Sequence, residues 1–140
     1  MTRVFWDTNL FIYLIEDFGT LSERVAAIRE RMLERGDQLL TSAMTLGEIL
    51  VKPTEAGRED LCRTYTRALT HGAILLPFDE RVAPIYAQVR RDRTIRPPDA
   101  VQLACAGYAG VDLFITNDAR LSRKTVSGIH FITALDAAPL

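Results

Sequence analysis

The chain has 140 residues, of which 48% are hydrophobic and 25% are charged, and its formal net charge is −1 at pH 7. This length and composition are typical of one globular domain with its own core, so residues 1–140 are expected to form a single domain. A net charge near zero excludes a protein that attracts nucleic acid through a general positive field, so nucleic-acid binding would need a local patch.

The sequence predicts neither a secretion signal nor a membrane span. The N-terminus lacks the charged region, long apolar stretch and small-residue cleavage site of a signal peptide. No apolar run approaches the roughly 20 residues that a membrane span needs. Cys62 and Cys105 lie far apart in helical patterns, which indicates buried, reduced thiols rather than a disulfide framework or a metal site. We therefore expect a cytoplasmic protein.

The N-terminal stretch predicts a strand, a turn and a helix. An apolar run that ends at Trp6 reaches Asp7, and a second apolar run at helical spacing continues to about Glu16. Asp7 is thereby placed at the carboxyl end of the first strand, where ligands bind in an open parallel sheet. Asp7 or Asn9 could instead simply cap the helix, because aspartate and asparagine are preferred cap residues.

The same alternation continues along the chain. Further strands are predicted at 38–42, 73–78, 111–116 and 129–133, and further helices at 20–36, 45–51, 55–69, 79–89 and 98–110. A capping box is expected at 20–23, Pro53 should stop the helix at 45–51, and Pro77 suggests an edge strand. The tail from Ala134 is expected on the surface. Strands that alternate with helices imply parallel pairing, so the predicted fold is α/β, a three-layer α/β/α sandwich with five parallel strands.

Four acids share one predicted edge of this sheet. Asp7 and Asp118 follow the first and fourth strands, while Glu48 and Asp99 lie in the first turns of helices. The carboxyl ends of parallel strands and the N-termini of the connecting helices meet at one edge, so the four side chains could converge. Alternatively, Glu48 could complete a capping box with Thr45. Asp99 could simply interact favourably with the dipole of its helix, and Asp118 could be a turn residue.

A cluster of carboxylates needs protons or a bound cation, because the negative charges repel each other. A set of oxygen ligands without histidine or cysteine points to a hard ion, Mg²⁺ or Mn²⁺. Such an ion can lower the pKa of bound water and hold the oxygens of a phosphodiester. The chain has no glycine-rich nucleotide loop, and His71 and His130 are predicted to be structural.

Four short motifs resemble, in their order and spacing, a PIN-domain ribonuclease. They are WDTN at 6–9, TLGE at 45–48, PDAVQLA at 98–104 and FITND at 114–118. The size of the chain and its five predicted strands resemble the single-domain VapC toxins of bacterial toxin–antitoxin pairs, and the resemblance extends to about Thr133. It implies a five-stranded parallel sheet and RNA cleavage that depends on Mg²⁺ or Mn²⁺.

The resemblance also implies roles for individual residues and for partners. By position, the acids that bind the metal and carry catalysis would be Asp7, Glu48, Asp99 and Asp118. Asn9 and Thr116 match polar positions that line such sites. The family further implies an RNA substrate, a homodimer, and a small antitoxin protein whose arginine-bearing tail enters the acidic pocket.

Several arginines crowd the loop ahead of Asp99. They are Arg90, Arg91, Arg93 and Arg96. Because carboxylates repel a phosphate backbone, RNA binding needs local cations, and these arginines could line the approach to the acids. The alternative is that they only form a solvated, charged loop.

The main alternative function is a receiver-type phosphoacceptor domain, which is also a doubly wound fold with acids at strand ends. Asp79 after the third strand and Thr116 after the fourth strand fit it loosely. However, Thr8 and Asn9 stand where a receiver has an acidic pair with Asp7, and no lysine follows the fifth strand. A haloacid-dehalogenase-like phosphatase would need an aspartate at position 9, and a non-catalytic module would leave the four acids without a purpose.

Overall fold

The computed structural model describes residues 2–140 and confirms the predicted α/β class. The strands are β1 (Arg3–Trp6), β2 (Gln38–Ser42), β3 (Ile74–Leu76), β4 (Val111–Thr116) and β5 (Ile129–Ala134). The helices are α1 (Thr8–Ile15), α2 (Thr20–Arg35), α3 (Ala43–Glu55), α4 (Glu59–Gly72), α5 (Ala83–Val89) and α6 (Pro97–Ala109). Short 3₁₀ turns flank β5, at Leu121–Arg123 and Leu135–Ala137. Within residues 2–140, no helix is both long and apolar enough to cross a membrane.

The five strands pair in parallel in the order β3-β2-β1-β4-β5. β1 is central, since Phe5 pairs with Leu40 of β2 on one side and with Phe114 of β4 on the other. β3 pairs with β2 alone and is therefore an edge strand, as predicted, although Pro77 directly follows the strand and is not part of it. Each pair of parallel neighbours needs a crossover connection, and these connections cover both faces of the sheet. The predicted three-layer sandwich is therefore confirmed.

Alternate residues of the central strands enter two hydrophobic clusters, one on each face of the sheet. In the first cluster, the rings of Phe5 and Phe114 stack with centroids 4.9 Å apart, beside buried residues of α6. In the second cluster, Val4 and Trp6 pack with buried residues of α1 and α2. Because both faces of β1 are buried, ligands can reach its residues only at the strand ends.

Several features of the helices differ from the sequence-based predictions. α3 continues through Pro53 to Glu55, because the proline lies in the last turn, where its missing N–H removes only one helical hydrogen bond. α4 begins at Glu59 instead of 55, after a turn in which Gly57 has a φ of 67°. The predicted capping box at 20–23 is also wrong, since α2 is capped by Gly19 without a side-chain hydrogen bond.

The C-terminal tail is only partly a surface segment, since Asp136, Ala137 and Pro139 are exposed but its leucines are not. Leu135 and Leu140 are buried in the second cluster. From α2, the Arg24 Nε donates to the Leu135 carbonyl at 3.3 Å, and the Arg31 guanidinium donates to the Leu140 carbonyl. These partners are 111 and 109 positions apart, so the tail is held by contacts that a local pattern cannot reveal.

The two cysteines differ in their surroundings, although neither forms a disulfide. Cys105 is buried, and burial raises the pKa of its thiol to about 11. It therefore behaves as a small apolar core residue. Cys62 is only half-buried, so the expectation of two buried thiols is correct for Cys105 alone.

Candidate active site

A depression of about 240 Å³ lies at the carboxyl edge of the sheet, where β1 and β4 end and α6 begins. Its lining includes all four acids singled out in the sequence: Asp7, Glu48, Asp99 and Asp118. Among residues 2–140, however, no three acidic, histidine or cysteine side chains are close enough together to form a ready metal cage. The acids therefore surround one depression without forming a preassembled set of ligands.

Asp7 is both a helix cap and the most buried acid of the depression. It follows β1, is only 7% exposed, and accepts a hydrogen bond on Oδ1 from the N–H of Thr8 at 2.9 Å. Burial raises the pKa of Asp7 to about 6, while its hydrogen bonds from Thr116 and Thr8 lower it. The capping role and the site role thus occur together, because the carboxylate caps α1 with one oxygen and faces β4 with the other.

Thr116 connects the ends of the two central strands. Its hydroxyl donates to Asp7 Oδ2 at 2.8 Å and accepts from the backbone N–H of Asp118 at 3.0 Å. Asn9, the other predicted supporting residue, lines the depression and accepts from the N–H of Asn117 at 3.4 Å. Asn9 thus lines the depression, whereas the buried Thr116 is not part of its lining and contacts Asp7 from behind.

Glu48 lies in the second turn of α3, because the N-cap of that helix is Ser42 and not Thr45. The capping box proposed for Thr45 and Glu48 is therefore absent, since the glutamate lies beyond the third helical position. Glu48 is exposed, and its Oε1 accepts a hydrogen bond from the Thr8 hydroxyl at 2.8 Å. That contact holds the carboxylate against the start of α1.

A buried polar network lies behind Glu48, and the sequence analysis missed it. Its members are Thr8, Thr41, Ser42, Thr45 and Gln102, all of them buried. Gln102 Nε2 donates to the hydroxyls of Thr8 at 2.9 Å and Thr45 at 2.8 Å. One available signal was the glutamine itself, an amide within the otherwise apolar stretch 100–106.

Asp99 and Asp118 are each paired with an arginine. Arg96 Nε lies 3.7 Å from Asp99 Oδ2, and Arg120 Nη2 lies 3.1 Å from Asp118 Oδ2. The Arg120 hydrogen bond holds the pKa of Asp118 below its ordinary value. Burial raises the pKa of Asp99, and the charge of Arg96 opposes that rise. The sequence has no lysine beside the acids, and it is these two arginines that partly neutralise Asp99 and Asp118.

The four arginines ahead of Asp99 do not form one surface. Arg96 lines the acidic depression, while Arg91 lines a separate groove of about 890 Å³ together with Arg123 and Lys124. Arg90 is half-buried, and its Nη1 donates to the Ile95 carbonyl at 2.9 Å, so it supports the loop. Arg93 is exposed to solvent. Of the four, Arg91, Arg93 and Arg96 are accessible to a ligand.

A larger apolar groove adjoins the acids on the other side. It has a volume of about 730 Å³, lies between α1, α3 and α4, and shares Thr8, Ile12 and Glu48 with the acidic depression. Its walls include the exposed side chains of Phe18 and Val51. A peptide segment of a partner protein that binds in this groove could therefore also contact the acids.

The donor atoms of the depression fit a hard divalent cation. Its acidic lining offers carboxylate oxygens, and the charges of Asp99 and Glu48 oppose ionisation of the buried Asp7. A dication would offset that repulsion. Mg²⁺ keeps several waters and commonly takes only one or two carboxylates, so three converging side chains are not required.

The receiver alternative is not favoured by the geometry. A receiver-type sheet has the strand order 2-1-3-4-5, whereas this sheet has the order 3-2-1-4-5. Asp79 therefore follows an edge strand, and its carboxylate pairs with Arg81 at 2.8 Å. It does not belong to the lining of the acidic depression.

Comparisons with known proteins agree with this architecture. Residues 4–126 match the PIN domain family model. The chain is 31% identical over 123 residues to Ribonuclease VapC23 of Mycobacterium tuberculosis, an alignment that covers 85% of this chain and 95% of that relative. VapBC2 from Rickettsia felis, crystallised bound to a DNA fragment from their promoter, superposes with a TM-score of 0.74 at 12% identity, covering 94% of this chain and 98% of that one.

DNA-bound VapBC from Salmonella typhimurium superposes with a TM-score of 0.71 at 22% identity, covering 96% of this chain and 99% of that one. Identities this low support the fold alone. The family match spans the positions of all four acids, from Asp7 to Asp118. Together with the 31% identical relative, it confirms the resemblance carried by the sequence motifs. The chain belongs to the PIN domain family.

Proposed function

We propose that this protein is a metal-dependent endoribonuclease and the toxin of a type II toxin–antitoxin pair. The observation that carries the proposal is the depression lined by four carboxylates, in a PIN domain whose relative is Ribonuclease VapC23. The structural neighbours from Rickettsia felis and Salmonella typhimurium are VapBC proteins, which supports a cognate antitoxin as partner.

The acids would hold Mg²⁺ or Mn²⁺ at the depression. The ligands would be drawn from Asp7, Glu48, Asp99 and Asp118. When bound, such an ion supplies an activated water and stabilises charge on the phosphate. The chain's own contribution is placement: Thr116 orients Asp7, and Thr8 orients Glu48. Arg96 and Arg120 are available for phosphate oxygens once their carboxylate partners bind a cation.

RNA would approach over exposed arginines. Arg96 lies at the acids, and Arg91 lines a separate groove with Arg123 and Lys124. Lys124 is partly neutralised, because its Nζ lies 2.7 Å from Asp92 Oδ2. We retain Arg91, Arg93 and Arg96 as phosphate-binding candidates and assign Arg90 to the support of its own loop, since its guanidinium is engaged by Ile95.

The antitoxin would occupy the apolar groove and end at the acids. The groove supplies apolar walls, and its shared border with the depression lets an arginine of the partner reach the carboxylates. A guanidinium pairs bidentately with a carboxylate and would compete with the metal for it. The proposal also includes a homodimer, which sedimentation of the purified protein would test.

The nuclease proposal is tested by cleavage of a fluorescent RNA with Mg²⁺ or Mn²⁺. We expect EDTA and Asp99→Asn each to abolish cleavage. Asp112→Asn is a matched control, because Asp112 lies at the amino end of β4, at the edge opposite the acids, and accepts from the Arg3 N–H at 2.8 Å. Full activity of Asp99→Asn, or in EDTA, would defeat the proposal.

The cytoplasmic toxin role is tested by expression in cells. Expressed without an antitoxin, the protein should stop growth, and the Asp7→Asn variant should not. Equal toxicity of the two forms would mean that the harm is unrelated to the acids. Sequencing the RNA ends left after brief expression would identify the target.

A further inference from the structure

Gln102 is a buried amide whose oxygen and nitrogen both have hydrogen-bond partners inside the protein. It is 1% exposed on α6. Its Oε1 accepts from the Ser42 hydroxyl at 2.5 Å, and its Nε2 donates to the hydroxyls of Thr8 and Thr45. The amide therefore joins α6 to the end of β2 and to the first turns of α1 and α3.

The carboxylate of Glu48 sets the direction of these hydrogen bonds. The Thr8 hydroxyl has a single proton, which it donates to Glu48 Oε1 at 2.8 Å. The oxygen of Thr8 must then accept its other bonds, which Gln102 Nε2 at 2.9 Å and the Thr45 hydroxyl at 3.1 Å are placed to donate. The orientation of the Gln102 amide and the contact to Glu48 are consequently coupled through one hydroxyl.

Glu48 depends on this one contact more than Asp7 and Asp118 depend on any single contact of theirs. It is an exposed side chain on a helix, and without a hydrogen bond a glutamate there would sample many rotamers. Asp7, by contrast, is buried and held from both Thr8 and Thr116. Asp118 is held by both the backbone N–H and the guanidinium of Arg120.

We propose that Gln102 is a positioning residue that acts through the Thr8 hydroxyl to hold the Glu48 carboxylate in place for a divalent cation. The inference rests on the proposed function, because it names how one of the acids is prepared for its ion. Gln102 itself is not a ligand. A purely structural role would instead confine its effect to the stability of the contact between β2 and α6.

Mn²⁺ affinity in the absence of RNA distinguishes the positioning role from the structural role. It is measured by isothermal titration calorimetry and by the electron paramagnetic resonance of free Mn²⁺. Gln102→Met keeps the shape of the side chain and removes its donor. We expect it to bind Mn²⁺ about 10- to 100-fold more weakly, the usual effect of losing a group that orients a metal ligand. Thr8→Val should weaken binding similarly, while Thr8→Ser should keep wild-type affinity.

A matched control is Gln38→Met, the same change at a half-buried glutamine of β2. Gln38 accepts from Arg3 Nη1 at 3.0 Å near the amino ends of the strands, away from the acids. Its Mn²⁺ affinity should equal that of the wild type. Urea unfolding of every variant, followed in EDTA, tells whether the protein measured is folded.

The decisive comparison is a double-variant cycle with Glu48→Ala. If Gln102 acts through Glu48, adding Gln102→Met to Glu48→Ala causes no further loss of Mn²⁺ affinity. Wild-type affinity in folded Gln102→Met, or effects that simply add, would overturn the inference while leaving the nuclease proposal intact. If Gln102→Met does not fold, Thr8→Val takes its place, and wild-type Mn²⁺ affinity in that variant would also overturn the inference. A wild-type protein that neither binds Mn²⁺ nor cleaves RNA would overturn both proposals.

Discussion

The Thr116 hydroxyl lies 2.8 Å from Asp7 Oδ2, and this hydrogen bond links the ends of two adjacent parallel strands. The same hydroxyl accepts from the N–H of Asp118 at 3.0 Å. One small side chain thus positions an acid from β1 and the backbone of an acid after β4. It also stabilises the charged form of Asp7 against burial.

Thr116→Val should shift the pH dependence of RNA cleavage to higher pH. The variant keeps the shape of threonine but no longer donates to Asp7, so the pKa of that carboxyl should rise further. The N–H of Asp118 would also be without its partner, at a cost of about 1–3 kcal/mol in stability. Cleavage rates from pH 5 to 9 measure the shift, and Thr116→Ser should retain the wild-type profile.

Asp7→Asn should stabilise the metal-free protein above pH 6. The unfolded carboxyl loses its proton near pH 3.8, whereas the folded one retains it to about pH 6. Between these values the native state binds more protons, so the contribution of Asp7 to stability falls as pH rises through this window. At about 1.4 kcal/mol per pKa unit, the gain from the amide should be on the order of 2–3 kcal/mol.

Urea midpoints of wild type and Asp7→Asn in EDTA, at pH 4.5 and pH 8, measure this difference. The urea midpoints of the two proteins should be similar at pH 4.5 and should differ at pH 8. Saturating Mg²⁺ should then raise the urea midpoint of the wild type. An ion that binds the native state stabilises it by about 2.7 kcal/mol at 100 times its Kd. A wild type that is the more stable at pH 8 in EDTA and insensitive to Mg²⁺ would mean that Asp7 is only a helix cap.

Replacing Arg91 and Arg93 together by alanine should weaken RNA binding and reduce its dependence on salt. Each phosphate that is no longer bound should flatten the slope of log affinity against log salt by about 0.7 for a single strand. Binding titrations at several salt concentrations, with the Asp99→Asn background to prevent cleavage, measure the slope. Arg63→Ala, at an exposed arginine of α4, is the control and should leave the slope unchanged.

Val51→Asp should release the toxin from its antitoxin while leaving RNA cleavage intact. Val51 is 50% exposed on a wall of the apolar groove, so a charge there would be buried against the partner without compensation. Growth of cells that co-express the antitoxin reports the loss of neutralisation. Leu33→Asp, at a 63% exposed position of α2 outside the groove, should remain neutralised. Continued neutralisation of Val51→Asp would place the partner elsewhere.

The strands, their parallel pairing and the shared edge of the acids could be predicted from the sequence. Each depends on a local pattern: an apolar run, an acid after it, and a helical period next along the chain. For Asp7 the prediction is sharp, because a strand of four residues and the helix after it leave a single position for the acid at the strand end. Parallel pairing then brings the distant acids to the same edge without further information.

Contacts between distant segments could be decided only by the tertiary structure. Thr8 and Glu48 are 40 positions apart, and Thr8 and Gln102 are 94 positions apart, so no periodicity relates them. The same holds for the tail, whose burial depends on α2. Side-chain hydrogen bonds act over about 3 Å, and which groups come that close depends on how the helices pack on the sheet. Local patterns therefore predicted the edge of the sheet at which the acids lie, while packing determined which neutral side chains orient them.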